Sequence, residues 1–178
     1  MYIVEYYQNL MSLVHTHNVQ VGWWDNRDKW THLTKLMLTV SEVSEAMEGD
    51  RKDLMDDKLP HRKMLEVELA DALIRTVDLM GHNNANIVSD LHQIVAHSRR
   101  LMDEHQPPVP VILFQIVDDI VMWGRGEHNG DVVIATIHAA CDYLGLDLKT
   151  AIEEKRAYNA LRADHKRENR AKEHGKSY

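Results

Sequence analysis

A single cysteine, Cys141, stands in the 178-residue chain. It cannot close an internal disulfide, and it sits in an apolar run, IHAACDYLG, so the chain is expected in a reducing, cytoplasmic setting. Basic residues are outnumbered, 21 Lys and Arg against 28 Asp and Glu, for a net charge of −7. A general nucleic-acid binder needs a basic face, so that class is set aside. No apolar stretch approaches the roughly 20 residues that span a bilayer, so no membrane segment is expected. The start, MYIVEYYQNLM, has neither a basic head nor an unbroken apolar core and does not read as a secretory signal. Strand alternation and a glycine-rich phosphate loop are missing as well. What remains is an all-α chain, 44% hydrophobic, long enough for one domain over residues 1–178.

Helical periodicity and its punctuation divide the chain. Residues 3 to 19 carry Val4, Tyr7, Leu10, Met11 and Val14 on one side. His15 and His17, two apart, fall on different sides and read as solvated. Gly22 breaks this helix, and Asp25, Asn26 or Asp28 is placed to cap a second, over 28 to 49, ending at Gly49. The charged joint DRKDLMDDKLP reads as slack, with Pro60 in the first turn of a third helix that runs to Gly81. Further helices are expected over 85–105, with Ile87, Leu91, Ile94, Val95 and Leu101 inward, over 111–123, and over 131–144, closed by Gly145. Asp147 is placed to cap the last. The segment GDVVIATIHAACDYLG echoes LADALIRTVDLMG, with Asp131 under Asp71, which suggests an internal repeat without a second metal site.

The chemistry concentrates between Leu36 and Gly81. Two helices there each carry a carboxylate pair at a spacing of three: Glu42 with Glu45, and Glu68 with Asp71. Residues three or four apart share a helix face. Packed antiparallel, the helices would bring four carboxylates together, and like charges that close need a cation. All-oxygen ligands favour a hard ion, Mg2+ or Mn2+. On the first helix the core stripe reads as Leu36, Val40, Val43 and Met47, with the acids off it, so Glu42 and Glu45 alone would pass for solvated surface. The second helix is apolar nearly all round, through Leu65, Val67, Leu69, Ala70, Leu73, Ile74, Val77, Leu79 and Met80. Glu68, Asp71, Arg75 and Asp78 cut through it as one stripe, which must face metal or counter-ions inside the protein.

These motifs, VSEVSEAMEG followed by EVELADALIRTVDL, resemble the MazG-like all-α nucleotide pyrophosphohydrolases, whose fuller signature is EExxE then ExxD. Ser41 stands where the first Glu of that signature would be. The resemblance resumes in EEKRAYNALRADHKRENRAKEHGK, where His174 replaces a glycine. It implies a four-helix bundle with two or three added helices, assembled as a homodimer or homotetramer. It also implies the reaction, hydrolysis of a nucleoside triphosphate between its α and β phosphates, with Mg2+ held by Glu42, Glu45, Glu68 and Asp71 and Glu45 as the simplest general base. Lys155, Asn159 and Arg162 would be its phosphate-side motif, and Lys176 would fold over the phosphates, with Asp164, His165 and Arg170 pinning the tail. A GWWD segment before the first metal helix resembles the family's base-side loop, so Trp23 and Trp24 either stack on the base or wedge the loop against the bundle. Arg75 is either an internal counter-ion or a phosphate contact.

Two competing classes are weighed against this. A di-iron carboxylate bundle needs Glu-x-x-His pairs, which the sequence lacks. A non-catalytic helical interaction module would account for the amphipathic helices but not for the polar stripe on the second metal helix.

Overall fold

The computed structural model describes residues 2–25 and 31–162. Among these it contains seven helices and no strand: α1 (Tyr2–Gln20), α2 (His32–Lys52), α3 (Met64–His82), α4 (Leu91–His105), α5 (Val109–Arg125), α6 (Gly130–Leu144) and α7 (Leu148–Leu161). The expected all-α architecture holds. Helix α2 packs on α3, α3 on α6, α6 on α5, and α5 back on α2, which closes a core of four helices. Helices α1 and α7 both lie against α3, and α4 lies against α6. With α1, α2, α6 and α7 as neighbours, α3 has almost no side left for water. That is why Val67, Leu69, Ala70, Leu73, Val77, Leu79 and Met80 are all buried on it. No helix is long and apolar enough to cross a membrane among the described residues.

Local chemistry sets the helix ends. Helix α2 starts at His32 rather than 28, because Thr31 caps it: its side chain accepts from the Thr34 amide, and Thr34 Oγ1 accepts from the Thr31 amide. Asp25 is therefore not the cap, and Asn26 and Asp28 lie outside the described residues. Asp147 does cap α7, accepting from the Thr150 amide, and Gly145 closes α6 at φ +70°. The expected stop at Gly49 is wrong. The helix runs on to Lys52, and Gly49 lies where α2 and α3 press together: a Cβ there would sit 2.8 Å from Met64 Cβ.

The α2–α3 joint is not slack either. Met55 and Lys63 bridge, the Asp56 amide donates to the Arg62 carbonyl, and the Met64 amide donates to the Leu54 carbonyl. Pro60 lies in this closed loop, ahead of the helix. Arg62 fastens the loop to α7 and α3 through Glu154 (Nε to Oε2, 2.7 Å) and Glu66 (3.1 Å). Residues 85–90 precede α4 as coil; Ile87, Leu91 and Val95 are buried as expected and Ile94 is half-buried, but Leu101 is exposed and Met102 is buried in its stead.

Candidate functional site

The polar stripe on α3 finds a partner at every step, and each partner comes from a different helix. Glu68 and Asp71 meet Lys155 of α7, whose Nζ lies 3.5 Å from Glu68 Oε1 and 3.2 Å from Asp71 Oδ2. Arg75 reaches across to α2, donating through Nε (2.7 Å) and its terminal nitrogen (2.6 Å) to Glu42 Oε1. Asp78 turns to α1 and its following loop: His15 Nδ1 lies 2.9 Å from Oδ1, Asn18 donates to Oδ2 at 2.7 Å, and the Trp24 indole donates to Oδ1 at 3.0 Å. His15 is thus a structural partner of Asp78, not the solvated residue its spacing suggested. The close approach of α1 that allows this depends on Gly81, where a Cβ would lie 2.7 Å from His15 Cβ.

Three of the four expected metal ligands converge. Glu42, Glu68 and Asp71 each offer an oxygen, all within 4.8 Å of one another. Glu42 is 5% exposed and Glu68 3%. Glu42 therefore belongs to the buried face of α2 with Leu36, Thr39, Val43 and Ala46, whereas Val40 and Met47 are only half-buried. The expected core stripe was rotated away from the acids by about one residue, and the helix buries the acid instead. Glu45, the fourth expected ligand and the expected base, is exposed and stands outside the group of three, although its charge acts on both Glu42 and Arg75.

The cluster is electrostatically strained. Burial pushes the Glu68 carboxyl up to about 9, helped by the charges of Asp71 and Glu42 and opposed by Lys155. Burial also raises Glu42, against the pull of Arg75. Glu68 Oε2 is buried and receives no hydrogen bond. Such an oxygen is satisfied either by a proton of its own, which it can donate toward Glu42, or by a cation. Three carboxylates with an orphaned oxygen and an all-oxygen donor set fit a hard divalent ion.

Beside the cluster opens a cavity of about 890 Å³. Asp71, Arg75, Asn159 and Arg162 line it, together with Trp23 and Trp24. Five of the six described residues expected to touch phosphate or base, Trp23, Trp24, Arg75, Asn159 and Arg162, are therefore in one place. Lys155 is not among them. It is 2% exposed and sits behind the carboxylates as their counter-ion, so the expected phosphate-side face of α7 presents Asn159 and Arg162 without it. Asn159 Oδ1 is buried and without a donor. Lys176, with Asp164, His165 and Arg170, lies outside the described residues.

The two tryptophans differ. Trp24 is 5% exposed; its ring stacks on His82 at 4.0 Å and 9°, Lys35 Nζ lies 4.5 Å above it, and its N–H is held by Asp78. This is the wedge arrangement. Trp23 is half-buried on the cavity wall. Lys35 and Arg156 also line the cavity, and neither was a candidate from the sequence; Asp78, marked there only as part of the α3 stripe, organises it. The signal for Lys35 was available: it lies on the same α2 face as Glu42, seven residues or two turns before it. No protein-family model, curated protein or solved structure matches the chain.

Proposed function

We propose that the chain is a divalent-cation-dependent nucleoside triphosphate pyrophosphohydrolase of the MazG-like type, cleaving between the α and β phosphates. The observation that carries this reading is the juxtaposition of two chemistries: a buried three-carboxylate cluster with an orphaned oxygen, and a cavity with three arginines on its wall. Glu42, Glu68 and Asp71 would hold Mg2+ or Mn2+. A bound ion there would acidify a water and offset charge on the phosphate oxygens. Arg75, Arg156 and Arg162 would bind phosphate oxygens through charge-assisted hydrogen bonds, with Asn159 beside them. Glu45, exposed at the edge of the cluster, would accept the proton. Trp23 would contact the base, and Trp24 would support it from beneath by fixing the loop to α3.

A second reading has its own observation. Every member of the α3 stripe already has a side-chain partner, and ion-pair networks perturb carboxylates without any catalytic role. The cluster would then be the polar centre of a non-catalytic helical module. A panel of all ribo- and deoxyribonucleoside triphosphates, with Mg2+ or Mn2+ and pyrophosphate detection, separates the two. Pyrophosphate release that stops with chelator is expected; no release from any triphosphate with either ion would leave the module. Base contact has its own assay. Trp23→Ala should cost about 1–3 kcal/mol of nucleotide affinity yet leave binding of inorganic triphosphate unchanged. Equal losses for both ligands would return Trp23 to a packing role.

A further inference from the structure

The loop joining α2 to α3 holds one more buried carboxylate, which no helical spacing advertises. Asp56 is 2% exposed. Its Oδ1 accepts from the Lys58 amide at 2.9 Å and the Leu59 amide at 2.7 Å, and its Oδ2 is buried with no hydrogen-bond partner. Lys155 is equally buried, so its ammonium cannot turn out to water and must choose among the carboxylates around it. It now lies 3.2 Å from Asp71 and 3.5 Å from Glu68. Asp56 is the third carboxylate whose charge acts on it. A divalent ion on Glu68 and Asp71 would meet that ammonium at close range, and the repulsion between them would be strong in a site shielded from solvent. The lysine stem is flexible enough to relocate its charge.

We propose that Lys155 is a resident counter-ion with two stations: it pairs with Asp71, against Glu68, when no divalent cation is bound, and turns to the orphaned Oδ2 of Asp56 when one is. This rests on the metal reading given above. Lys155 and Asp56 are then positioning residues. Lys155 keeps the carboxylates from spreading apart in the metal-free protein. Asp56 gives the displaced ammonium a partner, so that loading the site does not strand a buried positive charge. The anchoring of the loop by Arg62 to Glu154, next to Lys155 in α7, holds the two stations in register.

The test uses Mn2+ alone, without nucleotide, on the full chain, with free ion followed by electron paramagnetic resonance. Asp56→Asn keeps the Oδ1 acceptor for the loop amides and removes only the charge. Lys155→Met keeps the stem and removes the ammonium; Lys155→Gln replaces it if circular dichroism shows that the Met variant does not fold. Lys155→Met should bind Mn2+ about tenfold more tightly, because one neighbouring positive charge is gone. Asp56→Asn should bind it several-fold more weakly. The decisive measurement is the double variant: in the Lys155→Met background, Asp56→Asn should have no further effect. An Asp56→Asn loss of the same size with and without Lys155 would mean that Asp56 acts on the ion directly and overturns the two stations. Weaker binding by Lys155→Met would make the lysine a simple clamp, with the same result. No Mn2+ binding by the wild type or any variant would instead remove the metal reading itself.

Discussion

The two halves of the core solve the same problem differently. In α5–α6 one carboxylate, Asp119, is buried at the helix interface, and neutral donors satisfy it: Thr136 donates to Oδ2 at 2.6 Å and Gln115 to Oδ1 at 3.0 Å. In α2–α3 three carboxylates share two internal cations, and an oxygen of Glu68 still lacks a donor. Orphaned atoms occur in the second half too, on Asp131 Oδ2 and His128 Nε2, but they are single and not gathered around one point. The proposed repeat does not restore a site there either. Asp131 stands in the first turn of α6 and accepts from the Val88 amide, whereas Asp71 lies in the second turn of α3 and faces Lys155. A carboxylate bonded by hydroxyl and amide is finished, whereas the α2–α3 set keeps an oxygen that no donor among the described residues reaches.

The comparison breaks first on turnover. Glu68→Gln or Asp71→Asn should abolish pyrophosphate release, while Asp119→Asn should leave it near the wild-type rate, with all three folded by circular dichroism. In the metal-free protein Glu68→Gln should be at least as stable as the wild type, because a carboxyl raised to about 9 is already protonated at neutral pH and glutamine resembles it. Unchanged activity in both α3 variants would end the metal assignment. Loss of activity in the Asp119 variant as well would show that the halves are not separable.

The next effect is on stability against pH. The Glu68 carboxyl is raised from 4.5 in the unfolded chain to about 9, by burial first and then by Asp71 and Glu42. Between those values the folded protein holds a proton that the unfolded chain has released, so metal-free stability is full below about 4.5 and falls as pH rises toward 9. Burial raises Glu42 and Asp119 as well, so both add the same sign. Urea unfolding from pH 5 to 9 should show the decline. Glu68→Gln should flatten its alkaline end, and saturating Mn2+ should reverse it, since the ion binds the deprotonated form. A decline that Glu68→Gln leaves untouched would place the titrating group elsewhere.

Much of this was legible in the sequence, and the misreadings have one cause. Helix existence, the α3 stripe and the pairing of Glu68 with Asp71 are local patterns, set by a period of about 3.6 residues. What decided the site was not local. Lys155 shares a helical face with Asn159 and Arg162 on paper, yet it is drawn into the interior by Glu68, 87 residues away in sequence, and by Asp71. His15 reads as solvent-facing until α1 is laid against Asp78, 63 positions on. Gly49 reads as a stop because glycine often ends helices, and only the approach of Met64 reveals its use. Asp56 carried no signal at all, since one acid among several in a charged loop reads as surface.

The smallest expected effect sharpens the second half of the comparison. Thr136 Oγ1 and Asp119 are both buried, so their bond has no water to replace it. Thr136→Val keeps the shape and removes the hydroxyl donor. The carboxylate keeps Gln115, and His128 Nε2, 4.0 Å from Oδ1 and itself without a hydrogen bond, is close enough to move in. The cost should therefore lie toward the low end of about 1–3 kcal/mol for a buried polar group that loses one partner, measured by urea unfolding at neutral pH. Mn2+ affinity and turnover should not change, because Asp119 reaches neither Lys155 nor Arg75 by any ion pair or hydrogen bond among the described residues. A shift in Mn2+ affinity on Thr136→Val would mean that strain passes from α6 into α3 through their shared packing, and the contrast between a finished half and an open half would have to be redrawn as one coupled core.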